Sequence, residues 1–172
     1  MLKADVWILT NRADPIVAKI ADRHYNRQSI GSPQYAPPGR CLVLRTSSGD
    51  AFWITSWPFA QYVKHAWAGA FVCSAFRNEG PVLSSSMIVE AVRITRWATD
   101  HTWRTPVHDH GFITFVDRDK TKPKRDPGRC FRKAGFADVG ETAGGLVALQ
   151  LSVAMLTYFP PLVPRGGSTL LL

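Results

Sequence analysis

The feature that most restricts the fold is one long amphipathic helix placed between two strand-like apolar runs. Ala70–Phe76 and Gly111–Asp117 read as strands, and the segment between them reads as a helix from about Ser85 to Thr99. Two strands joined through a helix of that length are parallel neighbours in a sheet that the helix covers. Upstream, Arg40–Arg45 and Ala51–Thr55 flank the turn Ser47-Ser48-Gly49-Asp50, which predicts an antiparallel hairpin.

The remaining elements follow from the same periodicities. Lys3–Thr10 is strand-like, and Pro15 stands at a first helical position ahead of a helix from Ile16 to about Tyr25, with Ile16, Val17, Ile20 and Ala21 on one face. Pro127-Gly128 opens a short helix that ends at Gly135, and strands around Ala137–Glu141 and Leu146–Leu156 complete the pattern. The order predicts an α/β (α+β) chain with a mixed central sheet flanked by helices, in one domain over residues 1–159. The Pro/Gly-rich stretch 160–172 reads as a separate tail in which no packed element continues. Its LVPRGGS is close to a protease-recognition scar left by cloning, so it is set aside from function.

Apolar residues form 45% of the chain and charged residues 20%, a balance that excludes disorder over most of its length. No apolar run approaches the roughly 20 residues of a membrane span, and the N-terminal MLKADVWILTNR has no signal-peptide pattern. A cytoplasmic protein with no membrane partner is predicted. Cys41, Cys73 and Cys130 are odd in number and scattered, which points to buried thiols rather than a disulfide framework or a cysteine metal site.

Charge is distributed unevenly. The chain carries +8, and the segment Asp117–Lys133 holds eight basic and three acidic residues, so +5 of the total lies there. Such a concentration points to a polyanionic partner. The cations Arg118, Lys120, Lys122, Lys124 and Arg125 are the phosphate-binding candidates, a solvated charge run being the alternative.

The element order, with Phe131 and Ala134-Gly135-Phe136 in a short helix before the last hairpin, resembles the GNAT acyltransferase superfamily over nearly all of residues 3–156. The superfamily's usual donor loop, Gln/Arg-x-x-Gly-x-Gly/Ala, is missing; Arg77-Asn78-Glu79-Gly80-Pro81-Val82-Leu83-Ser84-Ser85-Ser86 stands in its place. His24-Tyr25-Asn26-Arg27, Pro37-Pro38-Gly39, Phe76-Arg77-Asn78-Glu79, the serine run and Phe115-Val116-Asp117 together resemble the phage Mom DNA-modification proteins, a divergent GNAT-like group. That resemblance implies transfer of an acyl-derived group to the exocyclic amine of adenine in double-stranded DNA, giving a carbamoylmethyl-type product that protects the DNA from restriction. It implies an acyl donor, either acyl-CoA or an aminoacyl-tRNA, and the host-cell cytoplasm as the compartment of a phage-encoded protein. The alternative is a GNAT acyltransferase acting on a protein or small-molecule amine; a GNAT-like shell that only binds nucleic acid is a third reading.

Within that frame the residues take candidate roles. Arg77, Ser84, Ser85 and Ser86, between a strand end and a helix start, suit a phosphate cradle for the donor, with Phe131 beside it; the competing reading makes Ser84 or Ser85 an N-cap. Asp117, at a strand end before the basic loop, is the candidate base, or else pairs with Arg118 or Lys120. His24 and Tyr25 are the candidate proton exchanger and hydroxyl donor, or else ordinary helix-end residues. Trp57, Phe59 and Tyr62 lie in an irregular segment where an aromatic ring can stack an extruded base, whereas Trp53 belongs to the core by strand alternation. His101, His108 and His110, with Asp100 and Asp109, have no spacing that fixes a third ligand, and no metal is predicted.

Overall fold

The structure is a computed structural model that describes residues 1–58, 60–121 and 126–166. Phe59 of the aromatic segment and Lys122, Lys124 and Arg125 of the basic loop lie outside the described residues. The elements run β1 (Lys3–Thr10), α1 (Pro15–Ala21), β2 (Arg40–Arg45), β3 (Ala51–Trp57), β4 (Phe71–Asn78), α2 (Ser84–Ala98), β5 (Phe112–Val116), α3 (Arg129–Lys133), β6 (Ala137–Glu141), β7 (Val147–Leu151) and β8 (Val163–Arg165). They form one mixed eight-stranded sheet in the order β6-β7-β5-β4-β3-β2-β1-β8. The expected mixed sheet with flanking helices is present, as are the β2–β3 hairpin and the parallel β4–β5 pair around α2.

Alternation along β3 explains how both faces are buried. Ala51 and Trp53 turn toward α2, where Met87, Ile88, Ala91 and Val92 join Trp7, Phe71 and Phe112 in the main core. Phe52 and Ile54 turn the other way, onto Val17, Ile20 and Ala21 of α1. A strand covered on both faces needs apolar residues in nearly every position, and Ala51–Ile54 supplies them.

Several boundaries differ from the sequence expectations. α1 stops at Ala21, so His24 and Tyr25 are not helix-end residues; the chain leaves through tight turns in which Arg23 N–H bonds Ile20 O and His24 N–H bonds Ala21 O. Ile16, expected on the apolar face, is 40% exposed. α2 starts at Ser84 with Leu83 as its N-cap, so neither Ser84 nor Ser85 caps it, and it runs on as a π turn through Thr99–Trp103. β7 ends at Leu151, and Val153–Tyr158 forms 3-10 turns where strand had been expected. Arg96 on α2 draws that segment back by donating to the carbonyls of Leu156 and Phe159 at 2.6 and 2.7 Å.

The stretch after Tyr158 also departs from expectation. Leu162 is buried, its N–H bonds Arg93 O, and Val163 N–H bonds Leu2 O, so β8 adds a parallel strand beside β1. Pro164 is tolerated there because β8 is an edge strand.

Candidate functional site

Strands β4 and β5 pair only from Phe71↔Phe112 to Cys73↔Thr114, after which β4 runs on to Asn78 and β5 to Val116. Where the pairing stops, a cleft of about 380 Å³ opens between them. A β-bulge shapes its floor. Ile54 pairs with Ala75 and Thr55 with Cys73, which leaves Ser74 as the extra residue. Alternation changes phase across the bulge: Cys73 and Phe76 both join the α2-side core, whereas Ala75 packs with the α1-side cluster.

The cleft gathers His24, Tyr25, Arg77, Ser84, Lys120 and Phe131 from five separate segments of the candidate residues. Asn78 arranges its upper rim. Its side-chain amide donates to Val82 O at 2.6 Å and Ser84 Oγ at 3.0 Å, and its carbonyl accepts from Gly80 N–H at 2.9 Å. This folds the Asn78–Ser84 turn so that Ser84, the first residue of α2, lies at the cleft. Ser85 is half-buried and Ser86 exposed; of the serine run only Ser84 lines the cleft.

Arg77 is held by Glu79, which accepts from Arg77 Nε at 2.6 Å and from Arg23 at 2.7 and 2.8 Å. The hydrogen bond from Arg23 and then that from Arg77 hold the Glu79 carboxyl well below its usual range, at about 2. The two arginines are thereby fixed side by side at the rim.

Beside this pair His24 has both ring nitrogens engaged. Nδ1 accepts the Asn26 N–H at 3.2 Å, so the proton sits on Nε2, which donates to Phe76 O at 3.1 Å. Tyr25 stacks on this ring. Burial is the largest influence on the Tyr25 hydroxyl and raises its pKa, the nearby Asp117 carboxylate adds to that, and a hydrogen bond with the Asp117 backbone opposes it.

Asp117 is half-buried, and its Oδ1 accepts the N–H groups of Asp119 at 3.0 Å and Lys120 at 3.2 Å. Neither Arg118 nor Lys120 forms an ion pair with it among the described residues; Arg118 pairs with Glu141 instead. Cys73 and Cys130 also line the cleft, and burial pushes the Cys73 thiol far above its ordinary value, which leaves it unreactive.

Trp57 is not brought to this cleft. It packs against Phe71 and Trp103, with the Arg40 guanidinium 5.0 Å from its ring centroid, at the other end of β3. Tyr62 is 73% exposed. His101 stacks on Trp97, His108 lies against His110, and no group of three or more metal-ligating side chains occurs among the described residues. No helix of the described residues is long and apolar enough to cross a membrane.

Sequence reasoning had not assigned Asn26, Asn78, Glu79 or Arg23. The first three stand inside quoted motifs, but only the folded chain reveals that Asn78 bonds Ser84 and that Glu79 joins Arg23 to Arg77. No family model, curated protein or solved structure matches this chain.

Proposed function

We propose that this chain is a GNAT-type acyltransferase of the Mom kind, which takes an acyl thioester or aminoacyl ester and transfers the acyl group to the exocyclic amine of adenine in DNA. The observation that carries the reading is the parting of β4 and β5, with Tyr25, Arg77, Phe131 and Ser84 at the start of α2 all at one cleft. The α3 region lends support: Gly135 follows the helix at φ 109°, a conformation that favours glycine, and this turn lets Phe136 pack edge-on to Phe131 with centroids 5.3 Å apart.

The chemistry follows from these positions. The donor's phosphate-bearing end meets the first-turn N–H groups of α2 and the Arg23–Arg77 pair, and its acyl end reaches toward Tyr25. The amine nitrogen bonds to the acyl carbon, the carbon–sulfur or carbon–oxygen ester bond breaks, and the amine proton leaves. Tyr25, kept protonated by its raised pKa, donates to the departing sulfur or oxygen. Asp117 receives the amine proton through the carboxylate oxygen that does not hold the turn. Polyanion attraction comes from the charge of the segment that follows β5.

Mass spectrometry of nucleosides from DNA of cells expressing the chain tests this directly. A new adenine-derived nucleoside, lowered about 100-fold by Tyr25→Phe, is the expected result. Unmodified DNA, together with acylation of a protein or small amine, overturns the DNA assignment.

A further inference from the structure

The sheet face opposite α2 is covered in two parts. Near β3, α1 packs on Phe52 and Ile54. Farther along, Cys73, Phe112 and Leu149 belong to the α2-side core, so their neighbours Val72, Ile113 and Ala148 turn the other way, where Trp67 and Phe115 pack with them. His65 completes this group. Its ring centroid lies 4.9 Å from that of Phe115 and 6.1 Å from that of Trp67, and the Trp67 and Phe115 rings are 6.0 Å apart. His65, Trp67 and Phe115 are each half-buried, so each covers the sheet with part of its surface and keeps part exposed.

The shelf is fixed before any ligand arrives. His65 Nδ1 accepts the Trp67 N–H at 3.1 Å, which sets the imidazole against the indole-bearing backbone. Burial first, and then the nearby His110, hold the His65 pKa below its ordinary value, so at neutral pH the imidazole is an uncharged flat ring. His110 is held in turn, its carbonyl accepting from Gln150 Nε2 at 2.7 Å. Packing over Ile113 and Ala148 accounts for the buried part of these rings. The exposed part is a row of flat π-faces, the surface on which bases stack whatever their identity.

Its position gives the row a partner. Phe115 also lines the first cleft, and Asp117, two residues on, bonds the Tyr25 hydroxyl through its backbone, so shelf and cleft meet at β5 on the Tyr25 side. The segment Asp117–Lys133, with its charge of +5, starts at the same point. Flat rings beside concentrated positive charge complement a polymer of phosphates and planar heterocycles. Its bases must be unpaired, because pairing and stacking within a duplex hide the faces that the rings would meet.

We infer that this shelf is a stacking platform for an unpaired DNA strand, which meets His65, Trp67 and Phe115 by its base faces, without choosing among bases, while its phosphates lie along the cations that follow β5. The inference rests on the transfer reading above for DNA as the polymer. It adds that the strand is opened on the protein and that its neighbouring bases, not the reacting one, are what the shelf holds.

The test is binding, not turnover. Fluorescein-labelled thymidine, uridine and abasic strands of equal length carry the same number of phosphates and are titrated by anisotropy. The wild type should hold the thymidine strand about tenfold more tightly than the abasic one. Trp67→Leu and His65→Ala should each reduce that ratio while leaving the abasic affinity and the salt slope unchanged, whereas Trp67→Phe, which keeps a flat ring, should retain it. Melting temperatures accompany each titration, and His65→Ala, which deletes no core side chain, carries the test where Trp67→Leu does not fold. A wild-type ratio near one, a ratio that survives both variants, or equal loss in Trp67→Phe and Trp67→Leu overturns the shelf. A uridine strand held more tightly than the thymidine strand overturns DNA as its occupant. A modified nucleoside formed by a protein whose ratio is near one sinks the shelf and spares the transfer reading; a tenfold ratio with no modified nucleoside does the reverse.

Discussion

The imidazole of His24 lies stacked against the ring of Tyr25, with centroids 4.7 Å apart and planes 25° from parallel. His24 is anchored in turn by Phe76 O and the Asn26 N–H, so the pair divides the two roles that sequence reasoning had assigned to each separately. His24 positions; Tyr25 presents its hydroxyl to the cleft. Tyr25→Phe should therefore lower the modified nucleoside by about 100-fold with little change in melting temperature, because only a hydroxyl is removed.

One carboxylate oxygen of Asp117 holds the turn that follows β5, and Asp117 itself is not among the residues lining the cleft. Asn at this position can still accept the Asp119 and Lys120 N–H groups, so Asp117→Asn should keep the wild-type melting temperature while product falls by about 100-fold. Asp117→Ala should in addition lose about 1 kcal/mol of stability with the turn's bonds. Wild-type product from Asp117→Asn would place the proton acceptor elsewhere.

Glu79 makes stability depend on acid. Its carboxyl titrates near 2 when folded against an ordinary 4.5, so the bonds from Arg23 and Arg77 contribute fully above about 4.5 and are lost as the pH falls toward 2. Urea midpoints should drop across that window. Glu79→Gln should cost about 1 kcal/mol at neutral pH and flatten the drop. The flattening is partial, since the carboxyls of Asp14 and Asp22 are also held below their usual range and act with the same sign.

Arg118 is already partnered by Glu141, which changes the expected salt dependence of DNA binding. Five phosphate-bound cations give a slope of log K against log salt of about −4.5, and four give about −3.6. The wild type should show the shallower value, and Glu141→Gln, which releases Arg118, should steepen it. A slope unaffected by Ala at Lys120, Lys122, Lys124 and Arg125 would move the DNA contact to another surface.

Trp57 packs against Phe71 and Trp103, so Trp57→Ala should lower stability by ~2–4 kcal/mol and leave DNA affinity per folded molecule unchanged. Thermal melts and anisotropy titrations separate the two effects.

Local pattern by itself determined the mixed sheet, the β2–β3 hairpin and the crossover through α2, because each depends on periodicity and turn residues within one short segment. The resemblance to the GNAT and Mom proteins, carried by short motifs in the chain, brought His24, Tyr25, Arg77, Ser84 and Phe131 forward as candidates. Only the tertiary structure decided what those side chains do. His24 is locked by a carbonyl from β4, Arg77 shares the Glu79 carboxylate with Arg23 at the rim of the cleft, and Arg118 turns to Glu141 rather than to Asp117. The same holds for β8, whose Pro-containing sequence carries no strand signal and which forms because the edge of β1 lies open beside it. A hydrogen bond between residues dozens of positions apart depends on where the backbone carries both partners, and no local pattern encodes that meeting.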